Sequence, residues 1–93
     1  MKVIKIDDNS YIKEYDNGDK SWYQNGLLHR LDGPAIEWST GKKEWYQNGL
    51  SHRLDGPAIE YANGEKFWYY EDKLIECSSK EQFERIIKLR LFW

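Results

Sequence analysis

A 23-residue stretch occurs twice in succession, and nothing else in the chain restricts its fold as strongly. Residues 22–44 read WYQNGLLHRLDGPAIEWSTGKKE and residues 45–67 read WYQNGLSHRLDGPAIEYANGEKF, identical at 17 of 23 positions. A third Trp-Tyr pair follows at Trp68-Tyr69. Half a copy precedes the first, because Glu14-Tyr15, Asn17-Gly18, Lys20 and Trp22-Tyr23 recur at Glu37-Trp38, Gly41, Lys43 and Trp45-Tyr46 and again at Glu60-Tyr61, Asn63-Gly64, Lys66 and Trp68-Tyr69. A repeat of this length is one supersecondary unit that cannot bury its own apolar surface and leans on its neighbour. The 93 residues therefore form a single domain: N-terminal edge strands (1–13), the repeats (14–70), and a last strand with a C-terminal helix (71–93).

Composition limits how the units are held. Five Trp and seven Tyr stand among 32% charged residues, so a few large rings must carry the burial, which suits a thin sheet. The net charge of −2, with both signs interspersed, is not the footprint of a nucleic-acid-binding surface. The single cysteine, Cys77, has no partner for an internal disulfide. No stretch combines a charged start with an apolar run or reaches the roughly 18 apolar residues of a membrane span. The expectation is a cytoplasmic protein with no membrane partner.

The repeat reads as antiparallel hairpins. Residues 3–6 alternate apolar and basic and predict an edge strand, with Lys2 and Lys5 discouraging further pairing. Residues 11–15 alternate again and lead to Asn17-Gly18, the dipeptide of a two-residue type I′ turn. That turn sets Tyr15 opposite Lys20 and Lys13 opposite Trp22, and in the third copy Tyr61 opposite Lys66 and Ile59 opposite Trp68. One face then collects Trp, Ile and the ring–lysine pairs; the other pairs Tyr23 with Ile12, Tyr46 with Ala35 and Tyr69 with Ala58. An odd number of strands per repeat would reverse the chain at every period, so two strands are expected. The short one covers residues 43–47. It turns at Asn48-Gly49 and returns as a long strand over residues 50–61, kinked at Asp55-Gly56-Pro57, since proline lacks the ladder donor.

After Tyr70 the period changes. Ser78 or Ser79 caps a helix over residues 80–91, with Glu81 or Gln82 as the reciprocal partner and Phe83, Ile86, Ile87 and Leu91 on one side. The fold class is thus mainly β: a single antiparallel meander sheet of tandem hairpin repeats with a C-terminal capping α-helix. The alternative role for Phe83, Ile87, Leu91, Phe92 and Trp93 is a surface for a partner or for a weak homodimer.

The 23-residue period, the Asn-Gly after an aromatic strand and the histidine three residues later resemble MORN repeats over residues 14–70. That family forms an antiparallel sheet of successive hairpins. MORN repeats usually carry His-Gly-x-Gly where this chain has His29-Arg30-Leu31-Asp32-Gly33-Pro34-Ala35 and its copy from His52, so the lipid-binding role of some MORN proteins is not carried over. The Trp-Tyr-x-Asn-Gly-x-x-His-Arg-x-Asp-Gly-Pro-Ala form is similar to tandem repeats in proteins of tailed bacteriophages and large DNA viruses, and a related bacterial MORN-like family is labelled antitoxin. These resemblances imply a small interaction protein.

One polar constellation repeats: His29, Arg30 and Asp32, then His52, Arg53 and Asp55. Either the aspartate and arginine fix the Gly-Pro kink while the histidine fills a half-buried slot, or the two Arg-His pairs, with Tyr23 and Tyr46, form a ladder that engages carboxylates or phosphates. Equivalent atoms of successive repeats lie roughly 10 Å apart, too far for both histidines to share one ion, so no metal is expected. Ser51 precedes His52 but points to the other strand face, and Cys77 lies in no motif that activates a thiol. No phosphate-binding loop is present. The expectation is a non-enzymatic protein-binding module without cofactors, of a phage-encoded kind that modulates a host defence or metabolic protein in the host cytoplasm. Capture of a small anion such as a nucleotide is the alternative.

Overall fold

A computed structural model describes residues 1–91, without the side chain of Leu91. The strands are β1 (Lys2–Lys5), β2 (Ser10–Glu14), β3 (Lys20–Gln24), β4 (Leu27–Leu28), β5 (Ile36–Glu37), β6 (Lys43–Glu44), β7 (Tyr46–Gln47), β8 (Leu50–Ser51), β9 (Ile59–Glu60), β10 (Lys66–Tyr70) and β11 (Lys73–Ile75). They are followed by the helix α1 (Lys80–Leu91). The chain meanders through the main sheet in the order β1-β2-β3-β5-β6-β9-β10-β11, every pair antiparallel. Each repeat contributes one outgoing and one returning strand, as parity requires.

The returning strand is broken, and its two halves pair with the same outgoing strand. In the second repeat β8 pairs with β7 and β9 with β6; in the first, β4 and β5 take the two ends of β3. Between the halves, residues 52–58 leave the sheet opposite Trp45 alone. The Trp45 N–H donates to Ala58 O at 2.8 Å, and its carbonyl accepts from His52 N at 3.1 Å. Trp22 holds residues 29–35 in the same way, at 2.8 and 3.0 Å. The Gly-Pro segment is therefore the far side of a loop clamped at its base by one tryptophan backbone.

Two turn types alternate, and this corrects the expected register. Asn25-Gly26, Asn48-Gly49 and even Glu71-Asp72 have both central residues at positive φ, as a type I′ turn demands. At Asn17-Gly18 only the glycine does, with φ of 99°. There Tyr15 pairs with Asp19 across a three-residue loop, the Tyr15 N–H donating to Asp19 O at 2.9 Å. Ser39-Thr40-Gly41 and Ala62-Asn63-Gly64 repeat that loop. The actual pairs are Glu14 with Lys20, Ile12 with Trp22, Lys66 with Glu60 and Phe67 with Ile59, one residue away from the two-residue-turn register.

The observed register has an electrostatic logic. Across the sheet, Lys2, Glu14, Lys20, Glu37, Lys43, Glu60 and Lys66 face one another in turn, alternating in sign at every step. A one-residue slip of any strand would break this ladder and turn its side chains over. Trp22, Trp45 and Trp68 share this face with the loops and the helix; we call it the loop face. The opposite face carries the row Val3, Lys13, Ser21, Ile36, Glu44, Ile59 and Phe67.

The helix starts where the serines predict. Ser79 Oγ accepts from Gln82 N at 3.1 Å, and Gln82 Oε1 accepts from Ser78 N at 2.8 Å, so the reciprocal bond reaches one residue further back than in a simple capping box. Phe83 and Ile87 pack with Trp68 and Ile75 into an apolar cluster of buried residues. The helix thus covers the last unit and not the whole sheet.

Candidate functional site

The repeated loops are built around their arginines. The Arg53 guanidinium lies 3.9 Å from the Trp45 ring centroid, and Arg30 stands at the same distance from Trp22. Arg53 donates to Asp55 at 2.9 Å, to Pro57 O at 3.0 Å and to Glu60 at 3.3 Å. Arg30 repeats the set with Asp32, Pro34 O and Glu37. The backbone of the loop also closes in on the guanidinium: a Cβ on Gly56 would sit 2.7 Å from Arg53 Cζ, and one on Gly33 2.9 Å from Arg30 Cζ. The glycines are needed because a guanidinium stacked on the ring and held by its carboxylates and loop carbonyl leaves no room for a Cβ. The arginine beside Asp32 and Asp55 holds both carboxyls below the usual carboxylate range.

The histidines tie one repeat to the next. His29 Nδ1 accepts from Asn48 N at 3.0 Å, and His52 Nδ1 from Glu71 N at 3.0 Å, each at the first residue of the following type I′ turn. Accepting this bond requires an unprotonated Nδ1. Burial lowers the His52 pKa, and the Glu71 carboxylate partly opposes it. Of the candidate ladder, then, His29, Arg30, Asp32, His52, Arg53 and Asp55 form internal clips. An open groove of about 430 Å³ lies between the two loops, but Asp32 and Asp55 belong to its lining beside the arginines they neutralise. Among the described residues, no three His, Cys, Asp or Glu side chains gather as a metal site needs. Cys77 is half-buried, and burial pushes its thiol up, away from the reactive thiolate.

Tyr23 and Tyr46, the other candidates, sit on the opposite face with most of the remaining rings. Tyr11 stacks on Tyr23 at 5.1 Å, and Tyr61 meets Phe67 edge-on at 5.8 Å. At the centre Glu44 is buried, its carboxylate accepting from Trp38 Nε1 and from the Tyr46 hydroxyl at 2.8 Å, with Lys42 Nζ at 3.7 Å. Burial, and then the carboxylate, push the Tyr46 hydroxyl well above its ordinary pKa, so it remains a donor. Tyr15, Trp38, Tyr61 and Phe67 are 37–41% exposed on this face, which the loops and helix leave open.

No protein family, curated protein or solved structure matches the chain significantly. The site is therefore read from its own geometry. Tyr15 and Tyr61, which the two-residue-turn register assigns to the tryptophan face, stand with Trp38 and Phe67 on the opposite face, and none of the four was singled out from the sequence. Phe83 and Ile87, offered as a partner or dimer surface, are 1% and 7% exposed and pack inside the terminal cluster. The side chain of Leu91 and residues Phe92 and Trp93 lie outside the described residues.

Proposed function

We propose that this chain is a non-enzymatic protein-binding module that engages its partner through the open face of the sheet. One observation carries the reading: rings from successive units, Tyr15, Trp38, Tyr61 and Phe67, stand 37–41% exposed on one face, while on the opposite face an arginine or the helix lies over each tryptophan. Aromatic side chains on a rigid sheet offer large contact area at small entropic cost, and a contiguous exposed apolar patch is the usual mark of an interaction surface. The resemblance to repeats of bacteriophage proteins points to a host protein as the partner. Capture of a small anion is disfavoured, because both arginines already meet carboxylates and a loop carbonyl.

Affinity capture from bacterial lysate tests this when run with the wild-type chain, a Tyr15→Ser/Tyr61→Ser variant and a loop-face Lys43→Gln control. A stoichiometric protein retained by wild type and control but lost by the open-face variant is the expected outcome. Equal retention by all three, or a thermal shift with nucleotides and no captured protein, would overturn the reading.

A further inference from the structure

One open-face position, immediately before each tryptophan, holds a different residue in each of the three units. In the second unit it is Glu44, whose carboxylate reaches Trp38 Nε1 in the preceding strand connection; in the third it is Phe67, whose ring packs against Tyr61. Both fill the space under the aromatic residue that precedes them by six positions. In the first unit the position is Ser21, too short to fill it. An open groove of about 250 Å³ results, lined by Tyr15, Tyr23, Ile36 and Trp38 with Ser21 among them. Ser21 Oγ is buried without a hydrogen-bond partner. Ser51 Oγ is likewise unpartnered, so the hydroxyl alone singles out nothing; the vacant space beside Ser21 does.

The chain itself demonstrates what fits such a slot: a benzyl ring in one unit and a carboxylate in another. Lys20 in the lining is paired with Glu14 at 3.7 Å, but a second cation, Lys13, stands directly opposite Ser21 across the sheet and favours an acid near the ring. Lys13 Nζ lies 4.9 Å from the Tyr23 centroid and makes no ion pair among the described residues. Asp19, the carboxylate in the lining, is already engaged by backbone and amide donors, accepting from Ser39 N of the next hairpin loop at 2.7 Å and from Asn17 Nδ2 of its own at 3.0 Å. We propose that this groove receives a segment of the partner protein in which an aromatic side chain stands beside an acidic one, the ring filling the slot beside Ser21 and the carboxylate meeting Lys13. This rests on the protein-binding reading and specifies the chemistry of the partner.

The test is an NMR titration of the ¹⁵N-labelled full chain with the acetylated, amidated tripeptide Glu-Phe-Glu, with Lys-Phe-Lys and Glu-Ala-Glu as controls. Saturable shifts at Ser21, Ile36 and the Trp38 indole are expected for Glu-Phe-Glu, with at least tenfold weaker binding of either control. Ser21→Phe supplies the ring from within and should raise the melting temperature while weakening the peptide at least tenfold; Lys13→Gln should erase the preference for the acidic peptide. If Ser21→Phe does not fold, Tyr15→Ala removes one wall at an exposed position and should cost the same tenfold. Shifts confined to the loop face, no saturable shift, or unchanged affinity in these variants would overturn the proposal. A lysate protein that is held by the wild type and equally by Ser21→Phe would remove the groove and leave the binding module standing; no captured protein would remove the module itself.

Discussion

The second repeat and the C-terminal unit present the same tryptophan and cover it by opposite means. Trp45 is covered by its own loop: Arg53 lies flat on the ring, held by Asp55, Pro57 O and Glu60, and His52 accepts a bond from the next turn. One period later Ile75 stands in place of His52 and Glu76 in place of Arg53, so Trp68 has no loop to close over it. Phe83 of the helix takes that place at 5.1 Å, with Ile75 and Ile87 around it. A unit with a following repeat can use a polar clip, because the neighbour supplies the remaining bonds. The last unit has no neighbour and must be closed by apolar packing.

The energetic consequence is unequal stability along the array. A partly exposed cation–π contact is worth about 0.5–2 kcal/mol and a solvated ion pair about 0–1 kcal/mol, whereas each fully buried apolar side chain contributes about 1.5–3 kcal/mol. The largest effect is therefore expected from Phe83→Ala, about 3–5 kcal/mol by chemical denaturation. A loss under about 1 kcal/mol would mean that the helix does not close the terminal unit.

Next in size is the arginine clip. Arg53→Ala should cost about 1–3 kcal/mol, since the ring loses its cover and Pro57 O its donor. Gly56→Ala should cost a similar amount because of the collision with the guanidinium, and much less once Arg53 is already alanine. Additive losses in the double variant, read from denaturation midpoints, would show that ring, arginine and glycine are not one packed unit.

The smallest expected effect is on pH dependence. Because folding lowers the His52 pKa below its ordinary 6.5, this residue binds fewer protons in the native chain than in the unfolded one. The stability due to this group is fully present above that value and lost as pH falls through it toward the folded pKa, at up to about 1.4 kcal/mol per pH unit. Melting curves between pH 7.5 and 5 should flatten in His52→Gln, and an unchanged slope would mean that His52 takes up no proton difference on folding.

The repeat period, two strands per repeat and the helix over residues 80–91 were all legible in the sequence, because each rests on a pattern that only one periodicity satisfies. The turn type was not read correctly, since Asn17-Gly18 suits both a type I′ turn and a three-residue loop ending in a positive-φ glycine. The clue lay in the middle copy: Thr40 occupies the asparagine's place, and a β-branched residue resists positive φ. A second clue was the six-residue spacing of Glu14 and Lys20, repeated at Glu37 and Lys43 and at Glu60 and Lys66. The slip moved Tyr15 and Tyr61 to the wrong face, which hid the open aromatic surface. The His-Arg-x-Asp residues were found as a constellation, but whether they face outward or inward depended on loop closure over Trp22 and Trp45, which no local pattern encodes.

The contrast between polar clips and an apolar cap is tested most directly by amide hydrogen exchange on the intact chain. The slowest exchange is expected in β10, β11 and α1, around Trp68, Ile75 and Phe83, with intermediate protection at the Trp45 and Trp22 amides and the fastest exchange in β1. Uniform protection across the strands, or a maximum in β1 to β3, would contradict a stability anchored at the capped end.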